Sequence, residues 1–157
     1  MTTLEILKWI QGTSFGHALG KADHLVGAVL QLLHIVGFLL LLAAVALVNL
    51  RLLGIGLKRQ SIALIGASTS PLIRLGLGAA VFSGVIIFLS GPVHYYPNEA
   101  FWAKMLVLLF AIVFQFTVFR WVMSSESRHP LGVRFVAVAG LLLWFGVAVA
   151  GRTIGYI

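Results

Sequence analysis

Four stretches of this chain are apolar for long enough to cross a lipid bilayer, and that feature decides its class. They cover about residues 24–50, 72–91, 101–123 and 133–151. A helix rises about 1.5 Å per residue, so roughly 20 apolar residues span the hydrocarbon layer. Hydrophobic residues make up 61% of the 157 and charged residues only 10%, too little polar surface to keep a domain of this size in water. Helix-breaking sequences punctuate the runs: Pro71 stands just ahead of the second, "SGPVHYYPNEA" with Pro92 and Pro97 divides the second from the third, and "SSESRHPLG" divides the third from the fourth. Short connectors join antiparallel neighbours. The expected fold is therefore all-α, an integral membrane up-down four-helix bundle forming one transmembrane domain over residues 1–157.

Basic residues orient the bundle. The link 51–74 carries Arg51, Lys58, Arg59 and Arg74, and the link 120–134 carries Arg120, Arg128 and Arg134; the opposite side has Lys8, Lys21, Lys104 and Arg152. Seven against four places those two links in the cytoplasm and both termini outside, in the inner membrane of a bacterium. The net charge of +7 is then an orientation signal that also meets anionic head groups, not a nucleic-acid footprint. Tyr95, Tyr96 and Trp102 belong to the outer aromatic belt and Trp121 to the inner one. Residues 3–11, "TLEILKWIQ", read as a short interfacial helix, with Leu4, Leu7 and Ile10 on one face and Trp9 at head-group depth. It serves as a surface anchor or as a lid over a site on the outer face. The N-terminus lacks the basic start and short apolar core of a cleaved signal peptide, so no removal is expected.

The chain has no cysteine, which excludes disulfides, thiolate-bound zinc or iron–sulfur clusters, c-type haem attachment and thiol catalysis. No P-loop, GxSxG, HExxH or GxGxxG pattern stands on a suitable background. "GLGAA" (Gly76 to Ala80) and "AVAGRTIG" (Ala148 to Gly155) place small residues at helical spacing, a mark of close helix packing.

His34 is the residue that needs explaining. It lies about nine residues inside the first run, roughly 13 Å along the axis. Gly27, Gln31 and Gly37 share its stripe. In one reading the imidazole is structural and bonds a carbonyl or Ser83 on the next helix. In the other it ligates a metal, the iron of a b-type haem, with the glycines leaving flat space for the macrocycle. A proton-relay role is a third possibility for an ionisable group at this depth. Ser83, Leu109 or Phe110, and Leu142 or Leu143 match its depth on the other helices, and none is a good opposing ligand. A five-coordinate haem, or one with Met105 as sixth ligand, fits that depth. Lys104 and Arg152, basic residues just inside the outer helix ends, either snorkel to phosphates or hold an anion such as the haem propionates. His17, His24 and His94, near Asp23 and Glu99 in sequence, form an alternative outer-face site for copper or zinc, or a hydrated interfacial cluster. His129 is read as solvated. Asn49, Arg51, Gln115 and Arg120 form a second polar set towards the cytoplasmic end, read as helix-end anchoring.

"LQLLHIVG", "NLRLLG", "NEAFWAKM" and "GRTIGY" together resemble an uncharacterised family of small bacterial four-helix membrane proteins. In that family the positions of Gln31 and Asn49 are often acidic, and a histidine often stands where this chain has Arg120. More distantly, the histidine-and-glycine first helix is similar to copper-resistance D-type proteins, HemJ-type protoporphyrinogen oxidase and four-helix b-type cytochromes. The HemJ-type resemblance implies a haem-binding histidine at His34 and a catalytic lysine, of which Lys104 is a loose analogue. These readings converge on a membrane protein holding one b-type haem on His34 and passing electrons to a partner subunit. The alternatives are a copper-handling protein, or a cofactor-free packing subunit of a larger complex, with homo-oligomers open in each case.

Overall fold

Helix formation follows the apolar runs but exceeds them at most ends. A computed structural model describes residues 2–20, 24–120 and 130–156. Two short helices come first, α1 (Thr3–Gly12) and α2 (Ser14–Gly20). The long helices are α3 (His24–Leu53), α4 (Ile62–Ser90), α6 (Glu99–Phe114) and α7 (Pro130–Thr153), with a one-turn α5 (Pro92–Tyr95) between α4 and α6. All four long segments are long and apolar enough to cross a membrane.

The N-terminal segment is two helices where one was expected. α1 is closed by a reciprocal cap: Thr2 Oγ1 accepts from the Glu5 amide at 3.3 Å, and Glu5 Oε2 accepts from the Thr2 amide at 2.7 Å. Thr13 breaks the run and starts α2, its Oγ1 accepting from the Gly16 amide at 3.1 Å. α1 rests on α5, and α2 rests on α4. Trp9 remains 66% exposed, the disposition of an interfacial anchor.

α3 ends in a Schellman motif. Gly54 adopts φ +76°, its amide bonds Arg51 O at 3.1 Å, and the Ile55 amide bonds Leu50 O at 3.1 Å. Arg51 Nε then donates to Gln60 O at 2.9 Å, closing the connector. Ser61 caps α4, its Oγ accepting from the Leu64 amide at 3.1 Å. α4 thus begins ten residues before the expected 72 and runs through Pro71. Proline removes one backbone bond, and a helix in an apolar medium tolerates that loss because no competing solvent replaces the rest. In the preceding turn Ser68 Oγ and Thr69 Oγ1 donate to Leu64 O and Ile65 O, at 2.9 and 2.8 Å. Arg74, assigned above to the connector, lies inside α4 and is exposed. A helix of 29 residues is about 43 Å long and exceeds the hydrocarbon layer. α6 ends in a π-helical turn, Gln115–Phe119. The expected end of the third run at 123, with Trp121, and the following loop residues Arg128 and His129, lie outside the described residues.

The bundle is built by antiparallel neighbours. α3 packs most closely on α4, and α7 lies against both α3 and α6. Gly37 and Gly76 make the α3–α4 approach possible. A Cβ on Gly37 would lie 2.8 Å from Ala79 Cβ, and one on Gly76 would lie 2.6 Å from Gly37 O. One core cluster joins Leu41, Ala44 and Val45 of α3 with Ile73 of α4, Ala111 of α6, and Trp144 and Val147 of α7. A second, towards the end away from the termini, joins Val48, Leu52, Ile65, Val136 and Ala137. Val29, Leu39, Phe82, Leu109, Leu142 and Phe145 are exposed. A bundle whose closest helix approach is through glycines and which leaves many large apolar side chains outside suits lipid as its solvent. At the end carrying both termini, Phe88 of α4 stacks on Phe101 of α6, centroids 5.4 Å apart. Asn98 caps α6 through the Phe101 amide at 3.0 Å and donates to Ile154 O of α7 at 3.2 Å.

Candidate functional site

His34 and Lys104 meet inside the termini half of the bundle. His34 Nδ1 lies 2.8 Å from Ala80 O on α4 and 3.3 Å from Ser83 Oγ. A carbonyl only accepts, so Nδ1 carries the proton and Nε2 presents its lone pair. Lys104 Nζ lies 3.5 Å from that Nε2. Ser83, wholly buried, donates to Ala79 O at 2.6 Å. Its hydroxyl is thereby occupied, and Ala80 O is the partner that orients the ring.

All four long helices supply the site. α3 carries His34, α4 carries Ala80 and Ser83, and α6 carries Lys104. Two glycines make the room. A Cβ on Gly84 of α4 would lie 3.0 Å from His34 Cε1, and one on Gly151 of α7 would lie 3.4 Å from Lys104 Cε. His34 sits ten residues into its helix and Lys104 five into its own, about 15 and 7.5 Å along the respective axes. The four-carbon lysine stem covers the difference by pointing towards the bundle interior. That direction is opposite to snorkelling, which carries an ammonium outward to water. Both side chains are half-buried.

The other expected members of the stripe separate. Gly37 is buried against Ala79, Ala80 and Gly76, so the flat space assigned to it holds the backbone of α4. Gln31 and Gly27 are exposed, and nothing lies within 4 Å of a Cβ built on Gly27. The stripe is broader than the contact: α4 covers the Gly37 side and leaves the Gln31 side open. Met105 is half-buried. Arg152 does not join Lys104. It is exposed, and its guanidinium donates to Tyr156 Oη at 2.9 Å and stacks 5.0 Å from that ring's centroid. His17, His24 and His94 are all exposed, on α2, α3 and α5 respectively, and His94 packs edge-on against Tyr95. Among the described residues no three His, Cys, Asp or Glu side chains converge as metal ligands; Asp23 lies outside the described residues.

The second polar set divides by burial. Asn49 and Gln115 are buried inside the bundle, whereas Arg51 closes the connector and Arg120 is exposed. Gln115 Oε1 accepts from Trp144 Nε1 at 3.3 Å, and Asn49 Nδ2 donates to Val45 O at 2.9 Å. Sequence reasoning gave these two residues an anchoring role because they fall near helix ends. Packing of α7 against α3 and α6 buries both: Gly140 lies against the Asn49 amide and Trp144 against Gln115. The reading missed Gly84, and it took Gly151 only as part of a packing stretch. Their signal was present as glycines within apolar helices, but only the partners across the interface reveal what each makes room for.

No curated protein and no solved structure matches the chain. The match to an uncharacterised group is clear, and it agrees with the resemblance read from the first helix, the start of the third and the C-terminus. From residue 6 to residue 157, nearly the whole of its length, this four-helix membrane protein belongs to the DUF6644 family, a family of unknown function.

Proposed function

We propose that this chain is a haem-binding protein of a bacterial inner membrane, with His34 Nε2 as axial ligand of a b-type haem, and that it exchanges electrons with a partner subunit. The observation that carries the reading is the unprotonated Nε2 turned into the bundle interior; the Nδ1–H bond to Ala80 O at 2.8 Å, which the structural reading of His34 also expects, leaves that nitrogen available. A metal-ligating imidazole characteristically donates its other ring nitrogen to a carbonyl or carboxylate, which fixes the tautomer and raises the basicity of the ligating nitrogen. His34 Nε2 would be the protein's bond to the iron. Lys104 would yield Nε2 to the iron, and its ammonium would then neutralise a carboxylate of the macrocycle. A bound haem supplies one-electron chemistry; the protein supplies orientation, charge and exclusion of water. The absence of cysteine leaves non-covalent b-type attachment as the available mode. With the basic connectors in the cytoplasm, as the excess of Lys and Arg there leads one to expect, the site would lie in the outer half of the membrane.

The test is an absorption spectrum of the protein purified from cells supplied with a haem precursor. A Soret band is expected in the wild type and in Gln31→Ala, and its loss is expected in His34→Ala. A wild-type spectrum without a Soret band, or a band that survives in His34→Ala, overturns the proposal. The direct contact of Lys104 Nζ with His34 Nε2 favours one other reading, a cofactor-free proton-exchanging pair, which the absence of the band would select.

A further inference from the structure

The start of α4 at Ile62 carries a charge into the membrane. Arg74 lies about 18 Å along the axis from the first residue of α4 and about 24 Å from the last. The hydrocarbon layer is about 30 Å thick, so wherever α4 spans it, the Cα of Arg74 lies at least about 6 Å inside. The nearer surface is the one on the side of the α3–α4 connector. A guanidinium does not shed its proton in a protein. Its charge has to be met by an anion, or by water that follows it in.

α4 turns this charge away from the bundle. Thr69, Ile73, Gly76 and Ala80 are buried, whereas Ser70, Arg74 and Gly78, spaced one turn apart, share an exposed face. Neither the Arg74 guanidinium nor the Ser70 hydroxyl has a hydrogen-bond or ion-pair partner among the described residues. Ser68 and Thr69 do turn back onto their own helix, donating to Leu64 O and Ile65 O. The Ser70 hydroxyl is thus a further open donor, one turn from Arg74 towards the connector. One turn the other way, nothing lies within 4 Å of a Cβ built on Gly78, and Leu75 beside it is 65% exposed. From the connector inward the face reads hydroxyl, cation, shallow apolar channel.

We infer that this face of α4 binds an anionic phospholipid of the leaflet on the connector's side. The Arg74 guanidinium donates two N–H groups to phosphate oxygens, the Ser70 hydroxyl donates a third bond, and an acyl chain lies over Gly78 against Leu75. That order of groups, polar and then apolar towards the midplane, is the order within a lipid. The planar fork of a guanidinium matches a phosphate in two bonds. A zwitterionic head group brings its own ammonium to the phosphate and competes with Arg74, so a net negative lipid is favoured. A second copy of the chain fits the face poorly, because a two-fold pairing there would set Arg74 against Arg74. The site lies across α4 from Ala80 and Ser83, and it stands whether or not His34 holds a haem.

A ligand that binds the folded state raises its melting temperature. The test therefore melts the full chain in an uncharged detergent with added phosphatidylglycerol, with phosphatidylcholine, or with inorganic phosphate. Phosphatidylglycerol is expected to raise the melting temperature of the wild type, and the other two to leave it nearly unchanged. The rise should vanish in Arg74→Gln, shrink in Ser70→Ala, and persist in the double variant Lys58→Gln/Arg59→Gln, which removes connector charges and spares the site. No rise in the wild type overturns the inference and leaves Arg74 to a carboxylate of another protein. An equal rise with phosphatidylcholine, or with phosphate alone, also overturns it, as does a full rise in Arg74→Gln or its loss in the double variant. Arg74 is exposed, so Arg74→Gln removes no packing; should it still not fold, an undiminished rise in Ser70→Ala overturns the inference instead.

Discussion

Gly37 and Gly76 face each other across the α3–α4 interface so closely that neither helix has room for a methyl group: a Cβ on Gly76 would lie 2.6 Å from Gly37 O and 2.7 Å from Leu41 N. The atoms in the way are backbone, which cannot rotate aside. Gly76→Ala is therefore expected to separate the helices and cost about 1–3 kcal/mol. Gly78, two residues on, is exposed with nothing within 4 Å of its Cβ position. Gly78→Ala should instead stabilise α4 by about 0.5–1 kcal/mol, the helical cost of glycine relative to alanine. Thermal melts of the two variants in one detergent check both signs; equal shifts would contradict the close contact.

The contact of His34 with Lys104 predicts energetic coupling. A double-mutant cycle with His34→Ala and Lys104→Ala should give a coupling energy of about 0.5–1 kcal/mol, in the range of interhelical polar contacts in membranes. Unfolding of the four proteins in mixed micelles measures it. Strict additivity would mean that the two side chains do not meet.

Trp144 is fully buried, whereas Trp9 and Trp102 are 66% and 51% exposed. Trp144→Ala should cost about 3–5 kcal/mol through the cavity it leaves. Trp144→Phe keeps most of the volume and loses the bond to Gln115 Oε1, for about 1–3 kcal/mol. In fluorescence, Trp144→Phe should remove emission that an aqueous quencher fails to reach; loss of the quenchable fraction instead would place this indole at the surface.

Ser61 holds the first turn of α4 by accepting from the Leu64 amide at 3.1 Å. Ser61→Ala should cost about 1 kcal/mol. Ser68 also lies in α4 but is exposed and bonds only to the carbonyl one turn back, so Ser68→Ala should stay within about 0.5 kcal/mol. Comparing their melting temperatures separates a cap from a surface hydroxyl.

Leu57 in the α3–α4 connector adopts φ +54°, a left-handed conformation costly for a side chain with a Cβ. Leu57→Gly removes that strain and should stabilise the protein by about 1 kcal/mol. A lower melting temperature would show that the leucine side chain, 40% exposed, makes up for its backbone through packing.

The amino-acid sequence by itself determined the membrane class, the four helices and their antiparallel order, because apolar length and flanking punctuation are local properties that lipid reads directly. It did not determine where α4 begins. Pro71 and the serines and threonines before it look like a boundary, and the Ser61 cap together with packing against α3 carries the helix through them. It marked His34 as unusual, offered it a carbonyl or Ser83 of the next helix as a structural partner, and for the ligand reading a stripe of neighbours along its own helix. Tertiary structure supplied that partner as Ala80 O with Ser83 beside it, added Gly84, and left Gln31 and Gly27 uncovered, because rotation of α3 against α4 decides which part of a broad stripe is covered. Depth counted from helix ends kept Lys104 near the surface, until the inward course of its stem brought Nζ to the imidazole. Asn49 is the plainest case: its position in the sequence suggests an anchor at a helix end, and only the packing of α7 at Gly140 makes it a buried acceptor with a demand to be met.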